Sequence, residues 1–187
     1  MKQVCITTER LMVRQVGQED VPAIVDYMRR NRQYLQPFEP VFPESYYNEA
    51  YWRERVGEPR AAFSPDGRLD LFMFAVDDCE RVIGRLTFSN LVRGVFQACH
   101  LGFSIDEFEQ RKGYMTEAVR GAVAWVFREC NLHRVMANYM PRNQASGAVL
   151  AKAGFTIEGE AKAYLRISGV WEDHILTSVI NEAWREG

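Results

Sequence analysis

Residues 101–118 read LGFSIDEFEQRKGYMTEA, and this segment is the most informative about the fold. An apolar strand predicted at Ala98–Ile105 leads through a short loop with one glycine, Gly113, into a helix predicted at Tyr114–Glu129. The first backbone N–H groups of a helix have no partner within it, and they carry the positive end of the helix dipole. Gly113 also allows the backbone to approach an anion closely. The turn is therefore a candidate site for a pyrophosphate.

Charge and spacing in this loop narrow the class of ligand. Arg111 and Lys112 would add positive charge beside a phosphate. The loop lacks the GxxxxGK[ST] pattern of nucleoside-triphosphate sites and the GxGxxG pattern of dinucleotide sites. Because many strand–glycine–helix turns bind nothing, the loop alone does not establish a function.

A second segment, NQASGAVLAKAGF at residues 143–155, also places polar groups at the start of a helix. The helix is predicted at Asn143–Ala153, and Gly154 is expected to end it in a left-handed conformation. Asn143 and Ser146 lie three residues apart, so they share one face of the helix and are candidates to point into a cleft. The alternative is that Asn143 only caps the helix.

The other predicted elements complete a mixed sheet flanked by helices. The helix at Tyr114–Glu129 is expected to end at Asn131 in a left-handed conformation. Alternation predicts the strands Arg10–Val16, Leu71–Val76, Arg81–Phe88, Arg134–Tyr139, Phe155–Ile167 and Trp171–Ile180, the last two joined by a turn at Ser168-Gly169. Helical spacing predicts a helix that begins at Val21-Pro22 and a second helix at Tyr46–Val56. Proline and turn residues predict an irregular stretch at Pro37–Pro43 and a turn at Ser64–Gly67.

The bulk composition fits one globular domain over residues 1–187. The formal net charge of −2 gives no electrostatic reason to expect nucleic-acid recognition. No apolar run reaches the roughly 18 residues of a membrane span, and the N-terminus lacks a signal-peptide pattern, so we expect a cytoplasmic protein. The four cysteines form no CxxC pair, which argues against a metal site.

The two polar segments together resemble the GNAT family of acetyltransferases. The pyrophosphate loop of that family, Q/R-x-x-G-x-G/A, is matched by Gln110 and Gly113 but not at its last position, where Met115 stands. TERLMVR at residues 8–14 is similar to the opening strand of the RimJ/RimL branch, which often has methionine at that loop position. The later-helix pattern N-x-x-[A/S]-x-x-x-x-x-x-x-G-F is matched at Asn143, Ser146, Gly154 and Phe155.

Within that branch, NLVRG at residues 90–94, HRVMANYMP at 133–141 and WEDH at 171–174 resemble the ribosomal-protein-alanine N-acetyltransferases. The resemblance implies a GNAT fold of the α/β (α+β) class: a mixed, mostly antiparallel seven-stranded sheet, flanked by helices, whose central strands splay apart. Acetyl-CoA would lie in the splay, without a metal, and a peptide would enter opposite it. The implied reaction is direct acetyl transfer from acetyl-CoA to the N-terminal alanine α-amine of a ribosomal protein.

The resemblance also implies site residues. Ser146 takes the place of a serine hydroxyl that donates a proton to the departing sulfur in RimL-like enzymes, although packing beside the cofactor is an equal alternative. A backbone N–H near Phe103 or Ser104 would stabilise the carbonyl oxygen. The implied cofactor-binding residues are Phe103, Ser104, Ile105, Gln110, Arg111, Lys112, Gly113, Tyr114, Met115, Thr116, Asn138, Asn143 and Ser146.

The general base is left open between water and several side chains. An N-terminal α-amine has a pKa of about 7.7–8.0, so an appreciable minority is neutral at pH 7 and a weak base acting through water is sufficient. Strand alternation places one candidate, His100, on the face of the sheet opposite Leu101 and Phe103. The candidates are His100, Glu158, Glu160, Asp173 and His174.

An acidic set across the Pro-rich loop and the second helix is a candidate to attract a basic N-terminus. A solvated helix face is an equally good interpretation. The members of the set are Glu39, Glu44, Glu49, Glu54 and Glu58.

The implied partner is a ribosomal protein N-terminus or the ribosome, without direct nucleic-acid recognition and without a membrane, and the protein is expected to be a monomer or a dimer. Two alternatives stay open. In the first alternative, the acceptor is a small amine such as a polyamine, an antibiotic or an amino acid. In the second, the chain binds acetyl-CoA or assists ribosome assembly without turnover. The second alternative arises because many GNAT enzymes use a tyrosine on the later helix to protonate the thiolate, and Leu150 stands at that position.

Overall fold

The computed structural model describes residues 3–56 and 67–186. The strands are β1 (Cys5–Thr7), β2 (Leu11–Arg14), β3 (Leu69–Ala75), β4 (Gly84–Val92), β5 (Ala98–Ile105), β6 (Arg134–Met136), β7 (Thr156–Ile167) and β8 (Val170–Ile180). They form one sheet in the order β1-β2-β3-β4-β5-β6-β8-β7, antiparallel except for the pair β5–β6. The mixed, mostly antiparallel sheet is confirmed, with eight strands rather than seven.

Helices cover both faces of this sheet. They are α1 (Val21–Arg30), α2 (Arg32–Leu35), α3 (Glu49–Arg55), α4 (Tyr114–Cys130) and α5 (Gln144–Lys152). The predicted apolar stripe of α4, which includes Met115 and Val126, is buried against one face. The stripe of α1, which includes Ile24 and Met28, is buried against the other. Among the described residues, no helix has both the length and the apolar character needed to cross a membrane.

β3 separates two apolar cores, because alternate side chains of a strand point to opposite faces of the sheet. Leu71 and Met73 lie in the core beneath α4, whereas Phe72 and Phe74 lie in the core beneath α1. Each of the four is at most 1% exposed. Full burial of side chains of this size stabilises the folded state by about 1.5–3 kcal/mol each. β3 is thus buried on both faces of the sheet, and β4 and β5 follow beside it.

The largest differences from the predicted strands concern three strands. β1 is an additional strand that pairs with β2, and its three residues are too few to show a period in the sequence. β4 covers Gly84–Val92 rather than Arg81–Phe88. The strand predicted at Arg134–Tyr139 ends at Met136, because the chain leaves the neighbouring strand there.

The second predicted helix begins later than expected. A 3-10 turn occupies Glu44–Tyr47, and Asn48 then starts α3 by accepting the N–H of Tyr51 at 3.2 Å. A side-chain acceptor at this position satisfies one of the N–H groups that a helix start leaves unpaired. The turn predicted at Ser64–Gly67 lies outside the described residues except for its last residue.

The parallel pair β5–β6 opens into a gap. Pairing covers only three residues of β5, from Ala98 to His100. Beyond them, β5 continues to Ile105 with β4 as its only neighbour among the described strands. The chain after Met136 leaves β5 but stays beside β8, where Tyr139 forms an isolated bridge. The expected splay of the central strands is confirmed, and it explains why β6 is so short.

Candidate active site

One edge of β5 presents backbone N–H groups to the gap. Asp106 donates its N–H to the carbonyl of Ile83 at 2.9 Å, which places the even-numbered residues of this strand toward β4. The carbonyl of Gln97 accepts N–H groups at the start of β6, which places the odd-numbered residues toward the gap. Since neighbouring residues of a strand bond to opposite sides, Phe103 directs its N–H into the gap and Ser104 directs its N–H to β4.

The loop before α4 has the backbone conformation of an anion-binding turn. Gly113 lies in the left-handed region, with φ of 84°, and precedes the first turn of the helix. A Cβ atom there would lie 3.3 Å from Nη2 of Arg10. Arg10 donates from Nη1 to the carbonyl of Lys112 at 3.0 Å and from Nε to Glu117 at 2.8 Å. Arg10 therefore buttresses the loop, a role that the sequence analysis did not assign to it.

Two polar side chains of the loop, Lys112 and Gln110, bind residues close to them in the sequence. The ammonium of Lys112 lies 2.8 Å from the carboxylate of Glu109, and Glu109 also binds Arg81 at 2.8 Å. Gln110 donates from Nε2 to the carbonyl of Glu107 at 3.1 Å. Lys112 and Gln110 thus shape the turn.

The remaining predicted residues of the loop and helix start differ in exposure. Arg111 is exposed, with φ of 62°. Tyr114 lies beneath the guanidinium of Arg10, and Thr116 is half-buried. Met115 is 4% exposed within the core, so its backbone is the part that faces the turn.

The start of α5 lies beside the gap. Asn143 accepts the N–H of Ser146 at 3.2 Å, so its oxygen caps the helix. A Cβ atom on Gly147 would lie 2.7 Å from the ring of Tyr139, which means that the ring packs directly on the helix backbone. Ser146, next to this contact, is partly exposed, whereas Leu150 is buried in the core. The helix position at which a tyrosine would act is therefore a packing position in this chain.

Asn138 spans the place where β6 has ended. Its side-chain oxygen accepts the N–H of Thr177 in β8 at 3.2 Å, and its side-chain nitrogen donates to the hydroxyl of Tyr164 in β7 at 3.3 Å. The amide of Asn138 therefore fixes the wall of the gap opposite β5.

The sequence matches the family model described as Acetyltransferase (GNAT) domain over residues 10–156. The chain belongs to the GNAT family. It is an acyltransferase enzyme, and the expected GNAT fold is confirmed.

Three relatives locate this GNAT enzyme within its family. The ribosomal protein uS5-alanine N-acetyltransferase of Escherichia coli (strain K12) is 44% identical over 184 residues, which cover 98% of this chain and 94% of that one. The ribosomal-protein-S5-alanine acetyltransferase of Vibrio fischeri has a TM-score of 0.90 at 39% identity, covering 98% and 100% of the two chains. RimJ of Mycobacterium smegmatis, solved in complex with CoA-disulfide, has a TM-score of 0.84 at 25% identity, covering 99% and 90%. The resemblance to the RimJ/RimL branch is confirmed.

The carboxylates considered as a base in this GNAT enzyme are held by cations. Glu158 lies 2.6 Å from Arg134, and this contact holds the pKa of the Glu158 carboxyl below its usual range. Lys162 pairs with Asp173 at 2.9 Å and also with Glu160. A carboxylate whose charge is already balanced is a weaker proton acceptor, so these three groups are poorly suited to the task.

The two histidines differ in their environment. His174 is 3% exposed, and its Nδ1 lies 3.0 Å from the carbonyl of Glu172. His100 lies on the face of β5 opposite Leu101, as its alternation predicts, and burial lowers its pKa. Its Nδ1 is buried and has no hydrogen-bond partner among the described residues. On the same face, a Cβ atom on Gly102 would meet no atom within 4 Å, so open space adjoins His100.

A polar cluster on this face of β4 and β5 was missed by the sequence analysis, because its members are far apart in the chain. The hydroxyl of Tyr27 in α1 donates to Oγ of Ser104 at 3.0 Å. Arg85, opposite Ser104 on β4, donates to the hydroxyl of Tyr46 and lies 3.8 Å from the carboxylate of Glu39. Burial raises the pKa of Tyr27, so its hydroxyl remains protonated.

The loop at residues 36–43 meets the β7–β8 turn near this cluster. Ser168 donates its N–H to the carbonyl of Glu39 at 2.9 Å. Arg142 donates to the carbonyl of Pro37 at 2.8 Å and pairs with Glu172 at 2.8 Å. These contacts connect the two sides of the gap on the face that carries His100. A pocket of about 350 Å³ beside them is lined by Pro141, Arg142, Trp171, Glu172 and Asp173.

Proposed function

We propose that this enzyme transfers the acetyl group of acetyl-CoA to the N-terminal alanine α-amine of a ribosomal protein, in the cytoplasm. The observation that carries the proposal is the 44% identity to the E. coli uS5-alanine enzyme. That identity extends over 98% of this chain, so it includes the acceptor-side segments as well as the cofactor loop. A ribosomal protein N-terminus, free or on the ribosome, is the proposed partner.

The loop before α4 is suited to bind the pyrophosphate of acetyl-CoA, the acetyl donor. Gly113 adopts a left-handed conformation in front of a helix of 17 residues, and a side chain at this position would occupy the space next to Arg10. N–H groups at a helix start bind pyrophosphate without further side chains. When bound, acetyl-CoA supplies an activated thioester. The residues that we propose to hold it are Phe103, Ser104, Ile105, Gln110, Arg111, Lys112, Gly113, Tyr114, Met115, Thr116, Asn138, Asn143 and Ser146.

The backbone N–H of Phe103 is the proposed donor to the thioester oxygen. It points into the gap, where negative charge develops on that oxygen as the amine attacks. Losing one such donor typically lowers the rate by about 10²–10³ in other enzymes. Holding the amine and the thioester in line contributes more, roughly 7–11 kcal/mol of the barrier.

Ser146 is the proposed donor to the departing sulfur. It lies in the first turn of α5, partly exposed and beside the ring of Tyr139. The positive end of the helix dipole stabilises a thiolate at this position, which lessens the need for the tyrosine that Leu150 replaces.

His100 is the proposed proton acceptor, acting through water. It lies on the same face of β5 as the open space over Gly102, its Nδ1 has no hydrogen-bond partner among the described residues, and its lowered pKa keeps the imidazole neutral at pH 7. Because a minority of α-amines is already neutral at this pH, a weak acceptor is sufficient.

A panel of acceptors tests the proposed function. Thiol release from acetyl-CoA is measured with a peptide that begins with alanine and carries the ribosomal acceptor's N-terminal sequence, with the same peptide blocked at its N-terminus but bearing lysine, and with spermidine. We expect turnover with the free α-amine peptide alone. Turnover with spermidine instead would indicate a small-amine acetyltransferase. Tight acetyl-CoA binding without any transfer would indicate a binding module.

A further inference from the structure

We propose that Glu39 binds the acceptor's N-terminal amine by accepting an N–H hydrogen bond, with Arg85 offsetting its charge. This inference rests on the proposed function and assigns an acceptor-binding residue to it. Glu39 thereby positions the amine over the open face of β5.

The location of Glu39 follows from its two contacts. Its carbonyl binds the N–H of Ser168 in the β7–β8 turn at 2.9 Å, so the backbone is anchored on one side of the gap. Its carboxylate lies 3.8 Å from Arg85, which stands opposite Ser104 on the other side. The carboxylate therefore lies on the face of β5 that carries the open space over Gly102.

Glu39 differs from the other acidic residues in its region. Glu44 is 79% exposed and pairs with Arg32, and Glu49 pairs with Arg53 on the surface of α3. Glu39 is 19% exposed and faces inward. Of the acidic set, Glu39 is the member placed to meet a substrate, and Glu58 lies outside the described residues.

The carboxylate of Glu39 has unused capacity to accept hydrogen bonds. Its contact with Arg85, at 3.8 Å, is longer than a hydrogen bond, and the other terminal nitrogen of the guanidinium donates to Tyr46. Among the described residues, no hydrogen bond to its oxygens is formed. By contrast, Asp70 on the same face accepts from Arg68 and Thr87 at 2.6 Å each. A cavity of about 80 Å³ adjoins Glu39 and is lined by its own loop together with Arg32, Tyr47 and Ser168.

The pairing with Arg85 suits an amine that must lose its proton before it reacts. An isolated carboxylate would stabilise the ammonium form and slow the attack. Arg85 is buried at the same site, so its charge offsets that of Glu39 and limits this effect. The carboxylate can then orient the amine without keeping it charged.

The test compares Glu39→Gln with Glu44→Gln, which removes the same charge from the exposed 3-10 turn that follows this loop. Initial rates are measured against the α-amine peptide and against acetyl-CoA. For Glu39→Gln we expect kcat/KM for the peptide to fall about 10-fold, because the amide oxygen still accepts a hydrogen bond but lacks the charge that strengthens it, with an unchanged KM for acetyl-CoA. Glu44→Gln should match the wild type.

A des-amino form of the same peptide isolates the amine contact. Binding to the CoA-loaded enzyme is measured by calorimetry for both peptides. The wild type should prefer the amine-bearing peptide, and Glu39→Gln, whose amide oxygen is an uncharged and weaker acceptor, should weaken that preference. Equal preference in the two enzymes, or a rise in the KM for acetyl-CoA, would overturn the assignment. If the wild type acetylates no peptide, the proposed function fails instead, whatever Glu39 does.

Discussion

Replacing Gly113 with alanine perturbs the cofactor loop at the point where its backbone is left-handed. With φ of 84°, an alanine there costs about 1–2 kcal/mol of folding free energy. The new Cβ would also lie 3.3 Å from Nη2 of Arg10, which is held by Glu117 and Lys112. Arg10 must move by a few tenths of an ångström, and the N–H groups of the loop move with it.

The matched control is Gly154→Ala. Gly154 has φ of 92°, and a Cβ there would meet no atom within 4 Å. The control therefore carries the same backbone cost without disturbing Arg10, and it lies at the far end of α5. Both variants should lose about 1–2 kcal/mol of unfolding free energy in urea.

The KM for acetyl-CoA distinguishes the two variants. A misplaced N–H that loses one hydrogen bond to a phosphate costs about 1.5–3 kcal/mol, so Gly113→Ala should raise this KM about 10- to 100-fold. Gly154→Ala should leave it unchanged. An equal KM in the two variants, at equal loss of stability, would refute the assignment of this loop to the pyrophosphate.

Three further changes have defined outcomes. Ser146→Ala should lower kcat about 10- to 100-fold with little change in either KM, as measured by thiol release, if the hydroxyl serves the departing sulfur. His100→Gln should lower kcat and remove an acid limb in the pH–rate profile, which the lowered pKa of His100 places below about 6.5. Asp106→Asn should destabilise the fold by about 3–5 kcal/mol in urea, because Asp106 is fully buried beside Arg30 at 2.6 Å. The folded-state pKa of Asp106 is lowered, so the stability that it contributes is present above about pH 4 and is lost as the pH falls further.

The parts of the fold that local sequence determines were predicted well. β5 and α4 have clear periods of two and 3.6 residues over many positions, and both are confirmed. Asn131 and Gly154 were expected in left-handed conformations at helix ends, and their φ angles are 45° and 92°. Each of these features depends on a few neighbouring residues, which is why pattern alone predicts it.

The parts that depend on distant contacts were not predicted. Arg10 reaches Glu117 across 107 positions, and Arg85 meets Tyr46 across 39. No spacing rule joins residues so far apart. The early end of β6 has the same origin, because it depends on where the chain separates from β5 while it stays beside β8.

Acetyl transfer to an N-terminal α-amine is best tested by tandem mass spectrometry of the product. The intact ribosomal acceptor with its free N-terminal alanine is incubated with the enzyme and acetyl-CoA, and the modified residue is located by fragmentation. We expect one acetyl group, on the alanine α-amine, with one CoA released per group. Acetyl groups on lysine side chains, or CoA release without a modified N-terminus, would contradict it.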